Sequence, residues 1–180
     1  SGDMLRIASE KARGAALKIP FVEQDMRKLA LHRPQDAIIC ACDGVNYLDS
    51  LKAAEEFFEA ANAALKGGGL LLFDISSRYK LENILGCNTF AEDEQGGAYI
   101  WKNNYDPKSR LIEMNLTFFE RQGELYRRFT ERHIQRAHGT DELLKALNRA
   151  GFDAEAYDFE TMDSVKPDSE RVQFSGRKRR

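Results

Sequence analysis

The sequence predicts an α/β protein in which a parallel sheet is interrupted by an antiparallel β insertion, and three stretches carry that prediction. The first is Pro34–Ser76. An apolar run, 37–42, stops at Asp43-Gly44; an amphipathic segment spans Ser50 to Lys66; a second apolar run, 70–73, stops at Asp74. Two short apolar runs flanking a helix of about four turns read as a β-α-β unit with both strands buried. The second stretch, Ala98–Arg136, alternates and is rich in aromatics, with breaks at Asp106-Pro107-Lys108-Ser109 and Gln122-Gly123. Those breaks are hairpin signals. In the third, helical spacing returns after Thr140 and two strand patterns follow. Ligands of open parallel sheets bind outside the carboxyl ends of the strands, so Asp43 and Asp74 mark where chemistry is expected.

In chain order, Met4, Leu5, Ala8 and Ala12 share a helical face that Gly14 ends, with Ser1 or Asp3 as cap. After Pro20, Phe21–Asp25 reads as a short strand ending in an acid, and a loop follows to Arg33. In the helix of the central unit, Leu51, Ala54, Phe58, Ala61 and Leu65 form the apolar stripe. Gly67-Gly68-Gly69 turns the chain into the next strand. Those glycines follow a helix and precede a strand, the reverse of the order that aims a helix N-terminus at a phosphate. Residues 78–85 form a short helix. The strands of the insertion are 98–105, 110–122 and 124–136, with Ile112, Met114, Leu116 and Phe118 on one face of the middle strand. Thr140 caps a helix that runs to Gly151, and strands at 152–160 and 171–177 close the chain.

Composition narrows the function classes. A chain of 180 residues that is 42% hydrophobic holds a substantial core. Its net charge of −2 gives no general attraction to nucleic acid or to membranes. Arg127, Arg128, Arg132 and Arg136 are interspersed with acids and read as a solvated strand, and the basic end 177–180 as a solvated tail. Cys40 and Cys42 alternate within an apolar run and are expected in the core; without a further Cys or His cluster, no metal site is expected. Neither a membrane span nor a signal peptide is read, which leads to the expectation of a reduced, cytoplasmic protein.

Ser1-Gly2-Asp3-Met4-Leu5 resembles the S-x-x-M-L segment of the class I S-adenosylmethionine-dependent methyltransferases, and Phe21–Met26 their third strand with its terminal acid. Asp36–Cys42 with Asp43 is similar to their fourth strand. Leu65-Lys66-Gly67-Gly68-Gly69 is similar to their L-x-P-G-G turn, with Gly67 where Pro is common. Asn88-Thr89-Phe90 and Tyr99-Ile100-Trp101 resemble segments of a bacterial, small-molecule-type subgroup with an insertion after strand five. The resemblance covers essentially the whole chain. It implies a Rossmann-like methyltransferase sheet ordered 3-2-1-4-5-7-6 and built from 1–85 and 139–180, with 88–136 as a lid or acceptor-binding insertion. The family's E/D-x-G-x-G-x-G loop and the acid of strand two have no counterpart here, so the expectation is a chain truncated at its N-terminus that binds S-adenosylmethionine weakly by itself.

The resemblance implies cofactor-binding roles for Ser1, Met4, Asp25, Met26, Asp43, Gly44 and Asn46. Asp25 would accept from the adenine amine, though an acid at a strand end also caps turns. Met4 would lie on the adenine face or simply in the core. Asp43-Gly44 with Asn46 would sit beside the sulfonium, or form an Asx-turn into the next helix. Tyr47, Tyr99, Trp101 and His133 are the candidates for the substrate side. His133 shares a strand face with Glu131 and Gln135 and could serve as a base or as a plain cross-strand partner. The expected reaction is methyl transfer from S-adenosylmethionine to a small-molecule acceptor. Such an in-line displacement relies mainly on positioning, so no catalytic signature is expected. The alternative is a non-catalytic interaction domain that oligomerises through exposed sheet edges.

Overall fold

A computed structural model describes residues 1–180. Two four-stranded sheets organise it. The first is built from β1 (Gln35–Cys40), β2 (Leu65–Ser76), β7 (Phe152–Asp158) and β8 (Arg171–Lys178), ordered β1-β2-β8-β7. The second is a meander of β3 (Thr89–Glu94), β4 (Gly97–Asp106), β5 (Leu111–Gln122) and β6 (Leu125–Arg136). The expected β-α-β unit forms, with β1 and β2 parallel across α2 (Leu51–Ala64). The sheet is otherwise mixed, because β8 runs antiparallel to both β2 and β7.

The core lies between this mixed sheet and two helices, α2 and α3 (Thr140–Arg149). Ser50 caps α2, its hydroxyl accepting from Ala53 N–H at 3.1 Å, and Phe57, Phe58 and Ala61 turn inward. Phe58 meets Phe73 of β2 at 5.4 Å between ring centroids, and Phe73 stacks on Phe174 of β8 at 4.6 Å. Each fully buried side chain of this size contributes about 1.5–3 kcal/mol relative to exposure. In the meander, alternation puts Ile112 and Met114 against Leu81, Leu85 and Ala137, a smaller cluster where the two sheets meet.

Three expectations fail on burial or pairing. β1 has β2 on one side and no strand on the other, the exposed sheet edge that the alternative reading expected, but the burial expected of its apolar run fails, with Ile39 71% exposed. Cys40 is half-buried, and Cys42 lies beyond the strand end, exposed, so neither belongs to a sealed core. Phe21–Asp25 forms no strand: no neighbouring segment offers it a ladder, and Val22 is exposed. Helix α1 (Gly2–Gly14) forms with Ser1 as its cap, yet of its stripe only Ala12 is buried. Its apolar face has the short segment 17–21 beside it and no sheet. The meander also gains a strand: β3 pairs with β4 through the Gln95-Gly96 turn. Its acids Glu92, Asp93 and Glu94 hide the strand alternation from a hydropathy reading.

Candidate functional site

At the carboxyl end of β1 the backbone enters the left-handed region at two consecutive residues, Cys42 (φ 60) and Asp43 (φ 49). Two such residues without glycine are costly, and surrounding interactions must hold them. Asp74, at the corresponding end of β2, supplies those interactions. Cys42 N–H donates to Asp74 Oδ1 at 2.9 Å and Asp43 N–H to Asp74 Oδ2 at 3.1 Å. The Arg171 guanidinium, at the start of β8, donates to the same Oδ2 at 2.6 Å. Asp74 is therefore a buried carboxylate with three donors and one cationic partner, the condition under which a buried charge is tolerated.

The clamp aims the Asp43 carboxylate away from the core. Gln135 of β6 donates to it at 2.6 Å, and Arg171 reaches it at 3.4 Å. Gly44 follows where no side chain fits, since a Cβ there would lie 2.8 Å from Cys40 Sγ. Met26 approaches the same point, its methyl 3.9 Å away. Burial pushes the Cys40 thiol up to about 11, with help from Asp74 and Asp43, so it is no nucleophile.

Asn46 has a different role from the expected one. It is fully buried; its amide donates to Ser76 C=O and Arg136 C=O, both at 3.0 Å, and its oxygen accepts from Ser76 N–H at 3.0 Å. Both amide protons are used, so no donor is left for a cofactor. The residue ties the end of β2 to the end of β6.

Between the Asp43 loop and the meander lies a cleft of about 340 Å³. Asp43, Tyr47, Ser76 and Arg171 form one wall; Trp101, Met114, Leu116, His133 and Gln135 form the other, with Lys80 and Leu85 at the end. Three of the four expected substrate-side residues, Tyr47, Trp101 and His133, thus converge. The Tyr47 hydroxyl lies 3.1 Å from His133 Nδ1, and His133 Nε2 lies 3.2 Å from Glu131 Oε2. Burial pushes the Tyr47 phenol above its ordinary range. The Trp101 N–H is buried without a partner. Tyr99 shares the Trp101 face but stands further out, lining a separate hollow with Phe118 and Phe129.

The residues expected at the adenine end do not join this cleft. Asp25 caps a short 3₁₀ turn (Met26–Lys28) and pairs with Arg27 at 2.6 Å, which holds its carboxyl at about 2. A carboxylate whose two oxygens already meet that guanidinium acts here as a turn cap. Ser1 accepts from Met4 N–H at 3.5 Å as the α1 cap, and Met4 is 73% exposed. Asp74, closing an apolar run at a strand end, was marked by sequence as a place where chemistry is expected; Gln135, Ser76, Lys80 and Arg171 were not singled out as site residues.

No family model matches the chain. A Bacillus subtilis (strain 168) protein named "Putative methyltransferase YqeM" is 32% identical over 180 residues, which span 99% of this chain and 72% of the relative. The crystal structure of an S-adenosylmethionine-dependent methyltransferase from Clostridium acetobutylicum ATCC 824 is 32% identical and superposes with a TM-score of 0.94, covering 100% of this chain and 73% of the other. The CcbJ methyltransferase from Streptomyces caelestis shares 18% identity and a TM-score of 0.80 over 98% of this chain and 71% of its own, a likeness of fold.

Proposed function

The chain belongs to the class I S-adenosylmethionine-dependent methyltransferases, with a Rossmann-like fold, and from that membership we propose that it transfers a methyl group from S-adenosylmethionine to a small molecule held in the Asp43–His133 cleft. The observation that carries the reading is the Asp74 clamp, which fixes a strained loop at a strand end and turns its carboxylate toward a cleft whose meander side offers Trp101, Met114 and Leu116. When bound, the cofactor supplies an electrophilic methyl on a cationic sulfur. The donor set here fits such a cation: Asp43 and Asp74 face a single guanidinium, so the cluster keeps one negative charge.

Asp43, Gly44 and Met26 would hold the cofactor beside the cleft. Tyr47, Trp101 and His133 would hold and orient the acceptor for the displacement. Residues 88–136 act as the acceptor-selecting insertion, the remaining chain as the cofactor-side core. Nuclear magnetic resonance tests the assignment even where binding is weak. S-adenosylhomocysteine at millimolar concentration should shift the amides of Met26, Asp43 and Gly44 and leave those of Ser1 and Met4 in place. Trp101→Ala should leave the affinity within about 1 kcal/mol, as expected for a remote contact. Shifts centred away from Asp43 sink the proposal.

The free edge of β1, with its exposed Ile39, favours a second role in self-association by strand pairing. A sedimentation profile that stays monomeric at high concentration rules it out.

No helix is long and apolar enough to cross a membrane.

A further inference from the structure

The outer half of the meander carries a hollow that takes no part in the Asp43–His133 cleft. Cross-strand pairing sets Tyr99 of β4 opposite Phe118 of β5, and Phe118 opposite Phe129 of β6, so three rings cross the sheet in one row. Neighbouring ring centroids lie 6.3 and 5.0 Å apart. The next row outward is Glu94, Gly97, Glu120 and Arg127. Gly97 leaves that row without a side chain at its centre, and none fits, because a Cβ would lie 2.2 Å from the Phe119 carbonyl oxygen. The gap beside the rings is a hollow of about 300 Å³.

Its rim is anionic. Glu92, Glu94 and Glu120 line it, with no Lys, Arg or His among the lining residues. Arg127 approaches Glu120 only to 3.9 Å and does not line the hollow, while Glu92 and Glu94 pair with no Lys or Arg. Even with Arg127 set against Glu120, two carboxylates remain unanswered. Ring carbon on one side and unpaired carboxylates on the other are complementary to a cation whose own surface is apolar. A bare ammonium is strongly hydrated and keeps its water at an open rim. Methyl groups on the nitrogen give up water easily and make dispersion contact with the rings, whose quadrupoles attract the spread positive charge.

We infer that the hollow binds an alkylated ammonium group, held against Tyr99, Phe118 and Phe129 and attracted by Glu92 and Glu94. The site is distinct from the cleft. Phe118 stands two rows of β5 beyond Met114, the cross-strand partner of His133, about 14 Å at the rise of an extended strand. No methyl transfer enters into this binding, so it holds whether or not the cleft is a methyl-transfer site.

Choline, ethanolamine and 3,3-dimethylbutan-1-ol carry the same hydroxyethyl arm and separate the charge from the alkyl groups. In nuclear magnetic resonance titrations choline should shift the amides of Gly97, Tyr99, Glu120 and Phe129 at a concentration about tenfold below that needed by either of the others. Glu92→Gln combined with Glu94→Gln, both at exposed side chains, should remove most of choline's advantage over the neutral alcohol. Phe129→Leu, which keeps an apolar side chain but removes a ring, should weaken choline several-fold and leave the Trp101 and His133 amides in place. Equal binding of choline and the alcohol, ethanolamine as good as choline, or shifts centred on Asp43 and His133 overturn the inference. So does a double variant that binds choline as the parent does, or the absence of any shift with all three probes.

Discussion

The two sheets of this protein solve different problems with different means. The mixed sheet and its helices share a core of 17 buried residues, in which Phe58, Phe73 and Phe174 stack in series. The meander contributes only Ile112 and Met114 to a cluster of five buried residues at its junction with the rest of the molecule, and its outer half leaves Leu125, Tyr126 and Phe129 exposed. The first region is held by burial between elements distant in sequence. The second is held by hairpin ladders between neighbours, with only its inner end packed. A rigid frame thus carries Asp43, while a lightly anchored sheet carries Trp101 and His133. On the proposed reading, the contrast separates fixing the methyl donor from fitting the acceptor.

The largest expected effect tests the frame. Phe73→Ala, which empties the middle of the aromatic stack, should destabilise the protein by about 3–5 kcal/mol in urea unfolding. A loss under about 1 kcal/mol would show that the mixed sheet is no better packed than the meander. Next in size, Asp74→Asn keeps the shape but replaces one acceptor oxygen by a donor, leaving the Arg171 guanidinium or a loop N–H unpaired. We expect a loss of about 2–3 kcal/mol, together with altered amide shifts at Cys42 and Asp43. Unchanged shifts there would mean that the loop holds its left-handed geometry without the clamp.

The third effect depends on pH. His138, fully buried at the junction, points Nε2 at Leu48 C=O (2.9 Å), and burial lowers its pKa. The unfolded state then binds the proton more readily. The stability contributed by neutral His138 is fully present above the unfolded pKa of about 6.5 and is lost as pH falls below it toward the folded value. A single proton sets a limiting slope of about 1.4 kcal/mol per pH unit. Denaturation midpoints between pH 7.5 and 5 should show the decline in the parent and a shallower one in His138→Gln. The smallest effect is at the meander's outer end, where Phe129→Ala should cost no more than about 1 kcal/mol. A loss as large as that of Phe73→Ala would erase the distinction between the two sheets.

How far these features could be read from sequence follows from the range of the interactions that make them. The β-α-β unit and the hairpins were legible because apolar runs, alternation and turn residues are local signals. Asp43 was legible because it ends an apolar run. His133 and Trp101 were legible as members of strand faces, though nothing local said that these two would meet Tyr47 while Tyr99 would not. The Asp74–Arg171 link joins residues 97 apart, and Asn46 reaches Arg136 across 90, so neither bond leaves a trace in spacing. The free edge of β1 is the exposed sheet edge that the alternative reading expected; what the apolar run hid was exposure, since Ile38, Ile39 and Cys40 look like a buried strand while Ile39 faces solvent. Asp25 could have been read differently, since an Arg two residues on is a ready local partner.

The bonds of Asn46 also govern how the cleft moves. A rigid swing of the meander would have to break the amide's link to Arg136 or its links to Ser76, at about 1 kcal/mol each in net terms and more while the groups stay buried. The outer hairpins carry no such tether. Any opening would therefore be a bending of the meander about its fixed inner end, with the largest amplitude at the outer turn between Gln122 and Leu125. Loop and hairpin excursions of that kind belong to the nanosecond-to-microsecond range, faster than the microsecond-to-millisecond hinge closure of lidded enzymes. On the proposed reading, entry and exit of a small acceptor would then equilibrate well ahead of chemistry, and the acceptor's KM would approach its dissociation constant.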